Sequence, residues 1–175
     1  MNGPQIYVGT YAKYNLAISF PNNGNLAGAW LSLDEYDTAE AFEAAARKLH
    51  KNERDPELMF QDCEGFPEVF YGESWLDERI WEWLALGEDQ REIVEAWLDT
   101  VGGTDDISYI LDHHVGSADS WDDYVEDYID QTGMLDSIPE HLRGYFDCEA
   151  YGRDLRHDFT VAETSDGGVV VFSNS

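Results

Sequence analysis

Acidic side chains recur at helical spacing between residues 119 and 130, and no lysine or arginine lies among them. Carboxylates three or four residues apart are neighbours on a helix surface, so the segment predicts a dense array of negative charge. Such an array can attract a cation or the basic surface of a partner. The acidic positions are Asp119, Asp122, Asp123, Glu126, Asp127 and Asp130, and the apolar positions that would face the core are Trp121, Tyr124, Val125, Tyr128 and Ile129.

These carboxylates also repel one another. Seven pairs of acidic residues between 119 and 130 are three or four positions apart, and each pair opposes helix formation by about 0.2 to 0.5 kcal/mol at low salt. Together they destabilise the helix by roughly 1.5 to 3.5 kcal/mol. A face that is only solvated would be expected to include lysines that relieve this repulsion. The pattern therefore favours a cationic partner.

The excess of negative charge extends well beyond this helix. Residues 92–142 contain 14 Asp or Glu and no Lys or Arg, and the whole chain of 175 residues has a formal charge of -27. Disorder does not explain the charge, because 14% of the residues are aromatic and 43% are hydrophobic. A salt-adapted surface would spread its acids evenly, whereas residues 1–61 carry 8 acids and 5 bases. The uneven distribution again indicates a partner.

Duplex DNA provides a scale for this charge. It carries one negative charge per roughly 1.7 Å of axis, so the 24 net charges after Gln61 match about 40 Å of duplex. Carboxylates at i and i+4 lie about 6 Å apart along a helix, close to the spacing of successive phosphates on one strand. We therefore predict a basic nucleic-acid enzyme as the partner. The predicted central contacts are Asp105, Asp106, Asp112, Asp119, Asp122, Asp123, Glu126, Asp127 and Asp130, and the predicted extension of this track is Asp77, Glu78, Glu82, Glu88, Glu95 and Asp99.

One tripeptide suggests an enzyme instead. Asp112-His113-His114 resembles the signature of metal-dependent phosphoesterases, which bind manganese through such a triad. Those enzymes need further carboxylates at the strand ends of a large α/β domain, and the first third of the chain has no Asp-rich strand ends. The competing interpretation is that His113 and His114 close a short helix, where cations suit the helix dipole. A phosphoesterase stays as the alternative function, and the main prediction is a non-enzyme without catalytic residues, cofactor or bound metal.

Cysteine usage and hydropathy place the chain in a cellular compartment. Cys63 and Cys148 lie far apart and form no zinc-binding pattern, so we expect two reduced thiols. The first residues lack a cationic segment followed by an apolar one, and nowhere do 18 apolar residues run together. These features predict a cytoplasmic protein that does not contact a membrane.

The helices and strands that are predicted to position the acidic residues indicate an α+β fold in three segments. Residues 1–61 are predicted to form a small antiparallel sheet and a helix, with strands at 5–14 and 26–33, a turn at 21–25 and Thr38 as the helix N-cap. Residues 62–103 are predicted to form an acidic helical domain, with helices at 76–84 and 93–101 that end near Gly87 and Gly102.

The third segment, residues 104–175, is predicted to be an acidic α+β domain. Its predicted elements are helices at 105–111, 120–131 and 146–155 and a terminal hairpin with strands at 159–163 and 168–172. Most tryptophans fall on the apolar stripes of the predicted helices. Trp75, Trp81, Trp83, Trp97 and Trp121 are therefore predicted to be core residues.

Four separate sequence motifs, which follow one another from near the start of the chain to near its end, resemble those of a known protein family. They are Ile6-Tyr7-Val8-Gly9-Thr10-Tyr11-Ala12-Lys13-Tyr14-Asn15, Gly28-Ala29-Trp30-Leu31, Asp55-Pro56-Glu57-Leu58-Met59-Phe60-Gln61-Asp62 and Phe146-Asp147-Cys148-Glu149-Ala150-Tyr151. With these motifs the sequence resembles the ArdA family of antirestriction proteins, which mimic DNA and block type I restriction-modification enzymes.

The resemblance implies several properties that the residues alone do not establish. It implies an elongated protein of three small domains that is encoded by bacterial mobile genetic elements and forms a homodimer through its last domain. Such a dimer would occupy the DNA groove formed by the specificity and methylase subunits of the target. The chain would then act in the bacterial cytoplasm as a DNA mimic and would not itself bind nucleic acid.

Overall fold

A computed structural model describes residues 3–19, 28–103, 105–164 and 166–174 of the chain. The chain divides into two compact units, Met1–Leu86 (unit 1) and Gly87–Ser175 (unit 2). Both units combine helices with antiparallel strands, which confirms the predicted α+β class. The predicted organisation into three domains, with boundaries after Gln61 and Gly103, is not confirmed by this division and stays a prediction. Among the described residues, no helix is both long enough and apolar enough to cross a membrane.

The described part of unit 1 contains five strands and three α-helices. The strands are Gln5–Thr10 (β1), Ala29–Ser32 (β2), Leu58–Glu64 (β3), Tyr71–Gly72 (β4) and Trp75–Leu76 (β5), and the helices are Tyr11–Ser19 (α1), Ala39–Leu49 (α2) and Arg79–Leu84 (α3). The first three strands form an antiparallel sheet in the order β2-β1-β3, while β4 and β5 form a separate hairpin.

The core of unit 1 lies between the three-stranded sheet and α2. Ile6 and Val8 of β1 and Phe42 of α2 are fully buried, and the Phe42 ring lies 6.1 Å from the ring of Phe60 on β3. Thr38 caps α2, because its hydroxyl oxygen accepts the backbone N–H of Ala41 at 3.2 Å. The structure thus confirms the predicted helix and the antiparallel pairing of the first two strands.

Two predictions for unit 1 need correction, and strand β3 was not predicted. The predicted strand 5–14 ends at Thr10, because the Thr10 hydroxyl accepts the backbone N–H of Lys13 at 3.3 Å and residues from Tyr11 onward form α1. Leu76 belongs to β5 and not to a helix, since it pairs with Tyr71 of β4. Sequence reasoning missed β3, which continues to Glu64. The predicted turn at 21–25 and the first two residues of strand 26–33 lie outside the described residues.

The described part of unit 2 contains three strands and five α-helices. The strands are His114–Ala118 (β6), Phe159–Glu163 (β7) and Val169–Ser173 (β8), and the helices are Glu88–Thr100 (α4), Ile107–His113 (α5), Trp121–Thr132 (α6), Glu140–Arg143 (α7) and Cys148–Leu155 (α8). The three strands form an antiparallel sheet in the order β6-β8-β7. The predicted terminal hairpin and the three predicted helices are therefore present, with shifts of one or two residues at most ends.

The core of unit 2 is built on β8. Residues 169–172 of this strand are all buried. Tyr124 of α6 packs against the buried valines of β8, and Val125 and Ile129 of the same helix pack against Leu155 of α8. The ring of Trp97 on α4 lies 4.9 Å from that of Phe172, edge to face. Helices α4, α6 and α8 are thus fixed by apolar contacts, which leaves their polar faces outward.

Several predictions for unit 2 and its boundary were incomplete. Sequence reasoning missed β6, and His114 opens this strand, so only His113 lies in the last turn of α5. Gly87 does not end a helix, because α3 ends at Leu84 and Gly87 is the N-cap of α4. Gly102, with φ of 111°, does follow the end of α4, as predicted, in the left-handed region that glycine favours.

The tryptophans also differ in their burial, which the sequence did not predict. Trp83 and Trp97 are buried, as predicted, with 3% and 6% of their surface exposed. Trp81 and Trp121 are partly buried. Trp75 is 52% exposed and lies in the short β4–β5 hairpin, so its prediction as a core residue was wrong.

Candidate functional site

Helix α6 has well-defined ends, which fix the positions of its carboxylates. At the start, the Ser120 hydroxyl oxygen accepts the backbone N–H of Asp123 at 3.2 Å and its O–H donates to Asp123 Oδ2 at 2.5 Å. At the end, Gly133 has φ of 62° and its N–H donates to the carbonyl of Asp130. This combination of a serine N-cap and a left-handed glycine is a common way to delimit a helix.

The side chains of α6 separate into an apolar face and an acidic face. Tyr124, Val125 and Ile129 are buried, and Trp121 and Tyr128 are partly buried and pack on the same core. The five carboxylates that we call the acidic face are all exposed, and they are Asp122, Asp123, Glu126, Asp127 and Asp130. The structure therefore places on one outer surface the carboxylates that the sequence predicted there.

The helix dipole acts differently on the two ends of this acidic face. Asp122 and Asp123 lie in the first turn, where negative charge is stabilised by about 0.3 to 1 kcal/mol. Asp130 lies in the last turn, in which α6 has no basic residue, and there the dipole opposes a carboxylate. A helix selected for stability alone would carry the reverse charge at that end. The C-terminal part of the acidic face is thus the part that stability explains least.

Helix α4 of unit 2 carries a second row of exposed carboxylates. The predicted residues Glu88, Glu95 and Asp99 are all exposed. Partial burial, followed by the neighbouring carboxylates of Asp99 and Glu92, raises the pKa of Glu95 above its ordinary value. Burial is the larger cause of this shift, and the neighbouring carboxylates of α4 add to it.

Two carboxylates of α4 were missed in the prediction. Asp89 and Glu92 are exposed on the same helix as the three predicted residues. Their spacing could have revealed them, because Glu92 is four residues after Glu88 and three before Glu95. We therefore include both in the acidic surface of unit 2.

The segment between α4 and α6 contributes four more predicted residues. Asp106, Asp112 and Asp119 are exposed. Asp105 differs, because it is only partly exposed and its Oδ2 accepts the indole N–H of the buried Trp97 at 3.0 Å. Asp105 therefore helps to fix the chain after α4 to the core, in addition to any contribution to the surface charge.

The three predicted residues of unit 1 also differ in their surroundings. Glu78 and Glu82 are exposed. Asp77 is bound to Arg79 by an ion pair of 2.6 Å and accepts the backbone N–H of Arg79 at 2.9 Å. These hydrogen bonds hold the pKa of Asp77 below its usual range, and the guanidinium balances its charge. Asp77 is thus a predicted contact whose charge is balanced within the protein.

Three of the four arginines of unit 2 are placed beside other carboxylates, and the fourth, Arg91, belongs to α4. Arg143 lies 3.7 Å from Asp136, Arg153 lies 3.5 Å from Glu149, and Arg156 lies 3.1 Å from Glu163. Each of these acidic partners lies outside the predicted contact set. The distribution leaves the acidic face of α6 with its charge while other surface carboxylates of the same unit are paired.

The Asp112-His113-His114 tripeptide does not converge on a common point. His113 Nδ1 donates to the carbonyl of Tyr109 at 2.8 Å, and its ring lies 3.9 Å from the Tyr109 ring, tilted by 31°. His114 lies in β6, where its Nε2 is 3.1 Å from Ser117 Oγ. Within the described ranges, no group of three or more His, Cys, Asp or Glu side chains is arranged to hold a metal ion. This geometry gives the phosphoesterase alternative no support.

The fold and the acidic surface define a strongly acidic α+β protein whose exposed helices carry carboxylates at regular spacing. A family model described as antirestriction protein (ArdA) matches residues 6–170. The match covers nearly the whole chain, and the chain therefore belongs to the ArdA family of antirestriction proteins, a non-catalytic family that interacts with restriction-modification enzymes. No curated protein matches the chain.

Proposed function

We propose that this protein inhibits type I restriction-modification enzymes by imitating DNA. In this proposal an elongated homodimer, which we expect to form through the last part of the chain, occupies the DNA-binding groove of the specificity and methylase subunits. The observation that supports the mechanism best is the acidic face of α6, where five exposed carboxylates at helical spacing lie on a helix without a basic residue.

The spacing of these carboxylates supports phosphate mimicry. Residues four positions apart on a helix rise about 6 Å along its axis, and successive phosphates on one DNA strand are separated by a similar distance. Asp122 and Glu126, Asp123 and Asp127, and Glu126 and Asp130 are all related in this way. A groove lined by basic residues that is spaced for phosphates can therefore bind successive carboxylates of α6.

The amount of charge supports the same mechanism. Unit 2 contains 22 Asp or Glu and four Arg, a net charge equivalent to about 30 Å of duplex. Because a basic groove concentrates an electrostatic field, an acidic ligand of this charge associates fast and binds more weakly as salt rises. Affinity in this mechanism comes from many weak contacts, so no single carboxylate is indispensable.

The structure also allows the proposed contacts to be ranked. Thirteen of the fifteen predicted carboxylates are exposed, and we propose these, together with Asp89 and Glu92, as the phosphate-mimicking surface. Asp77 and Asp105 are partly buried and bind Arg79 and Trp97, respectively. We propose that these two residues contribute mainly to folding and only secondarily to the electrostatic field.

Competition with DNA tests the proposal. A purified type I restriction-modification enzyme is mixed with a fluorescent duplex that contains its recognition site, and this protein is added at increasing concentration. We expect the duplex to be displaced, and both cleavage and methylation to be inhibited, without any turnover by this protein. Binding of the protein at a site that leaves the duplex in place would overturn the mimicry mechanism while leaving antirestriction itself intact.

A further inference from the structure

Unit 1 contains a buried polar cluster that the proposed function does not use. His50, directly after α2, is 1% exposed, and Thr10, the last residue of β1, is fully buried. The side chains of Lys13 on α1 and of Glu53 are only 27% and 22% exposed. We call these four residues the His50 cluster. Buried polar groups are stable only when they are hydrogen-bonded, so their contacts need to be accounted for.

The contacts of His50 determine the position of its proton. His50 Nε2 lies 3.3 Å from the carbonyl oxygen of Val8 on β1. A carbonyl oxygen can only accept, so Nε2 carries the hydrogen. His50 Nδ1 lies 2.6 Å from Lys13 Nζ and, because it carries no hydrogen, accepts from the ammonium group. Both ring nitrogens are thus used when the imidazole is neutral.

Lys13 connects the histidine to the rest of the cluster. Its Nζ lies 3.2 Å from Glu53 Oε1, which also accepts the hydroxyl hydrogen of Thr10 at 3.0 Å. The Thr10 hydroxyl oxygen in turn accepts the backbone N–H of Lys13 at 3.3 Å. The His50 cluster therefore joins the end of β1, the first turn of α1 and the end of α2.

Protonation of His50 is incompatible with this arrangement. A second ring hydrogen on Nδ1 would face the Lys13 ammonium at 2.6 Å, and the contact would change from a hydrogen bond to a repulsion between two cations. The charged groups that act on the ring are Lys13 from α1 and Glu53 from the turn after α2. Burial and then Lys13 lower the pKa of His50, and they outweigh the opposing effects of the Val8 carbonyl and Glu53.

We propose that the His50 cluster is a pH-sensitive latch on α1: neutral His50 holds Lys13, and with it the start of α1, against β1, and protonation of His50 releases the helix. The ordinary pKa of histidine is 6.5, so an open state with a solvated imidazole binds a proton more readily than the closed state. Acidification below this value shifts the equilibrium towards the open state. The latch is a property of unit 1 and does not depend on the proposed DNA mimicry.

Hydrogen exchange of the α1 amides tests the latch. Exchange at residues 15–19 is followed from neutral to mildly acidic pH and corrected for the intrinsic pH dependence of amide exchange. We expect the opening constant of α1 to rise by up to roughly tenfold per pH unit below the ordinary histidine pKa. The variant His50→Gln keeps a donor and an acceptor but does not titrate, so its opening constant should stay flat. His157→Gln, at an exposed histidine, is the matched control and should behave like the original protein.

A second measurement keeps the test decisive if His50→Gln does not fold. Nitrogen chemical shifts of the His50 ring in the original protein report its tautomer and its charge directly. We expect a neutral ring with hydrogen on Nε2 at neutral pH, and a loss of α1 protection that follows the appearance of the charged ring. The proposal would be overturned by a ring that is charged at neutral pH or by a neutral ring with its hydrogen on Nδ1. It would also be overturned if the protection of the α1 amides did not change on acidification. An identical acid response in His50→Gln would do the same.

Discussion

Ser120 and Asp123 bind each other at the start of α6, through one backbone and one side-chain hydrogen bond of 3.2 and 2.5 Å. Asp123 therefore has a structural role in addition to its charge, and the helix dipole stabilises it further. Glu126, Asp127 and Asp130 lie beyond the first turn, where the dipole gives a carboxylate no stabilisation. This difference allows folding and binding to be tested separately on one helix.

Ser120→Ala should weaken folding without changing the charge of the acidic face. The variant loses the cap of α6 and should lower the free energy of unfolding by about 1 kcal/mol. Chemical denaturation measures this change. Because all five carboxylates remain, affinity for the restriction enzyme should be unchanged at temperatures where the variant is folded. A large loss of affinity in the folded variant would mean that the geometry of the first turn, and not the charge, determines binding.

Neutralisation beyond the first turn should have the opposite effect on stability. The triple variant Glu126→Gln/Asp127→Asn/Asp130→Asn removes five of the seven repulsive pairs, which we expect to stabilise α6 by about 1 to 2.5 kcal/mol at low salt. Thermal unfolding should show a higher midpoint that approaches the original one as salt increases, since salt screens the repulsion. A variant that unfolds would show that these carboxylates are needed for the fold.

Trp121 should matter to unit 2 through packing. Its ring stacks on Tyr124 with 5.4 Å between centroids, and its indole N–H donates to the carbonyl of Gly152 on α8 at 3.1 Å. Trp121→Ala should lower the free energy of unfolding by about 3 kcal/mol, because it removes apolar contacts and leaves a cavity. Trp75→Ala, at a tryptophan that is 52% exposed, is the control and should cost much less. Equal losses in denaturation experiments would contradict this assignment.

Glu95 should give stability an unusual dependence on pH. Its pKa is raised in the folded protein, so the folded state binds a proton more readily than the unfolded state. Protonation of Glu95 therefore increases the free energy of unfolding. This contribution is present at low pH, where Glu95 is protonated, and is lost as pH rises through its pKa. Glu95→Gln should be more stable than the original protein at neutral pH and equally stable in acid. Denaturation at a series of pH values would contradict the assignment if the difference had the opposite sign.

The sequence predicted α6 well because all of its determinants are local. Ser120 and Gly133 mark its ends, and the apolar residues recur at helical spacing, so exposure of the carboxylates followed from the pattern. The partners of the less exposed carboxylates were harder to predict. Asp77 binds a residue two positions away, which the sequence could have suggested, but the bond of Asp105 to Trp97 depends on the path of the chain between α4 and α5.

The missed elements depend on contacts that are distant in sequence. β6 contains one β-branched residue, Val115, and three small ones at 116–118, and it is a strand because it pairs with β8 more than 50 residues later. Gly116 lies so close to the Tyr124 ring that a Cβ there would be 3.0 Å from it. Neither the pairing of β6 with β8 nor this close contact can be predicted from local strand propensity. The boundary between β1 and α1 was missed for the opposite reason, because residues 11–14 suit a strand as well as a helix until Thr10 caps the helix.

The most direct test of the proposed mimicry compares two ways of removing three negative charges from unit 2. One variant is Glu126→Gln/Asp127→Asn/Asp130→Asn on the acidic face, and the control is Glu140→Gln/Asp154→Asn/Asp158→Asn, at three exposed carboxylates outside the proposed surface. Displacement of fluorescent DNA from a type I enzyme is measured over a range of salt concentrations. We predict that the acidic-face variant binds more weakly at low salt and that its slope of log affinity against log salt falls by up to about three. The control should stay close to the original protein. Equal effects of the two variants, or no effect of the first, would contradict the claim that the carboxylates of α6 replace phosphates.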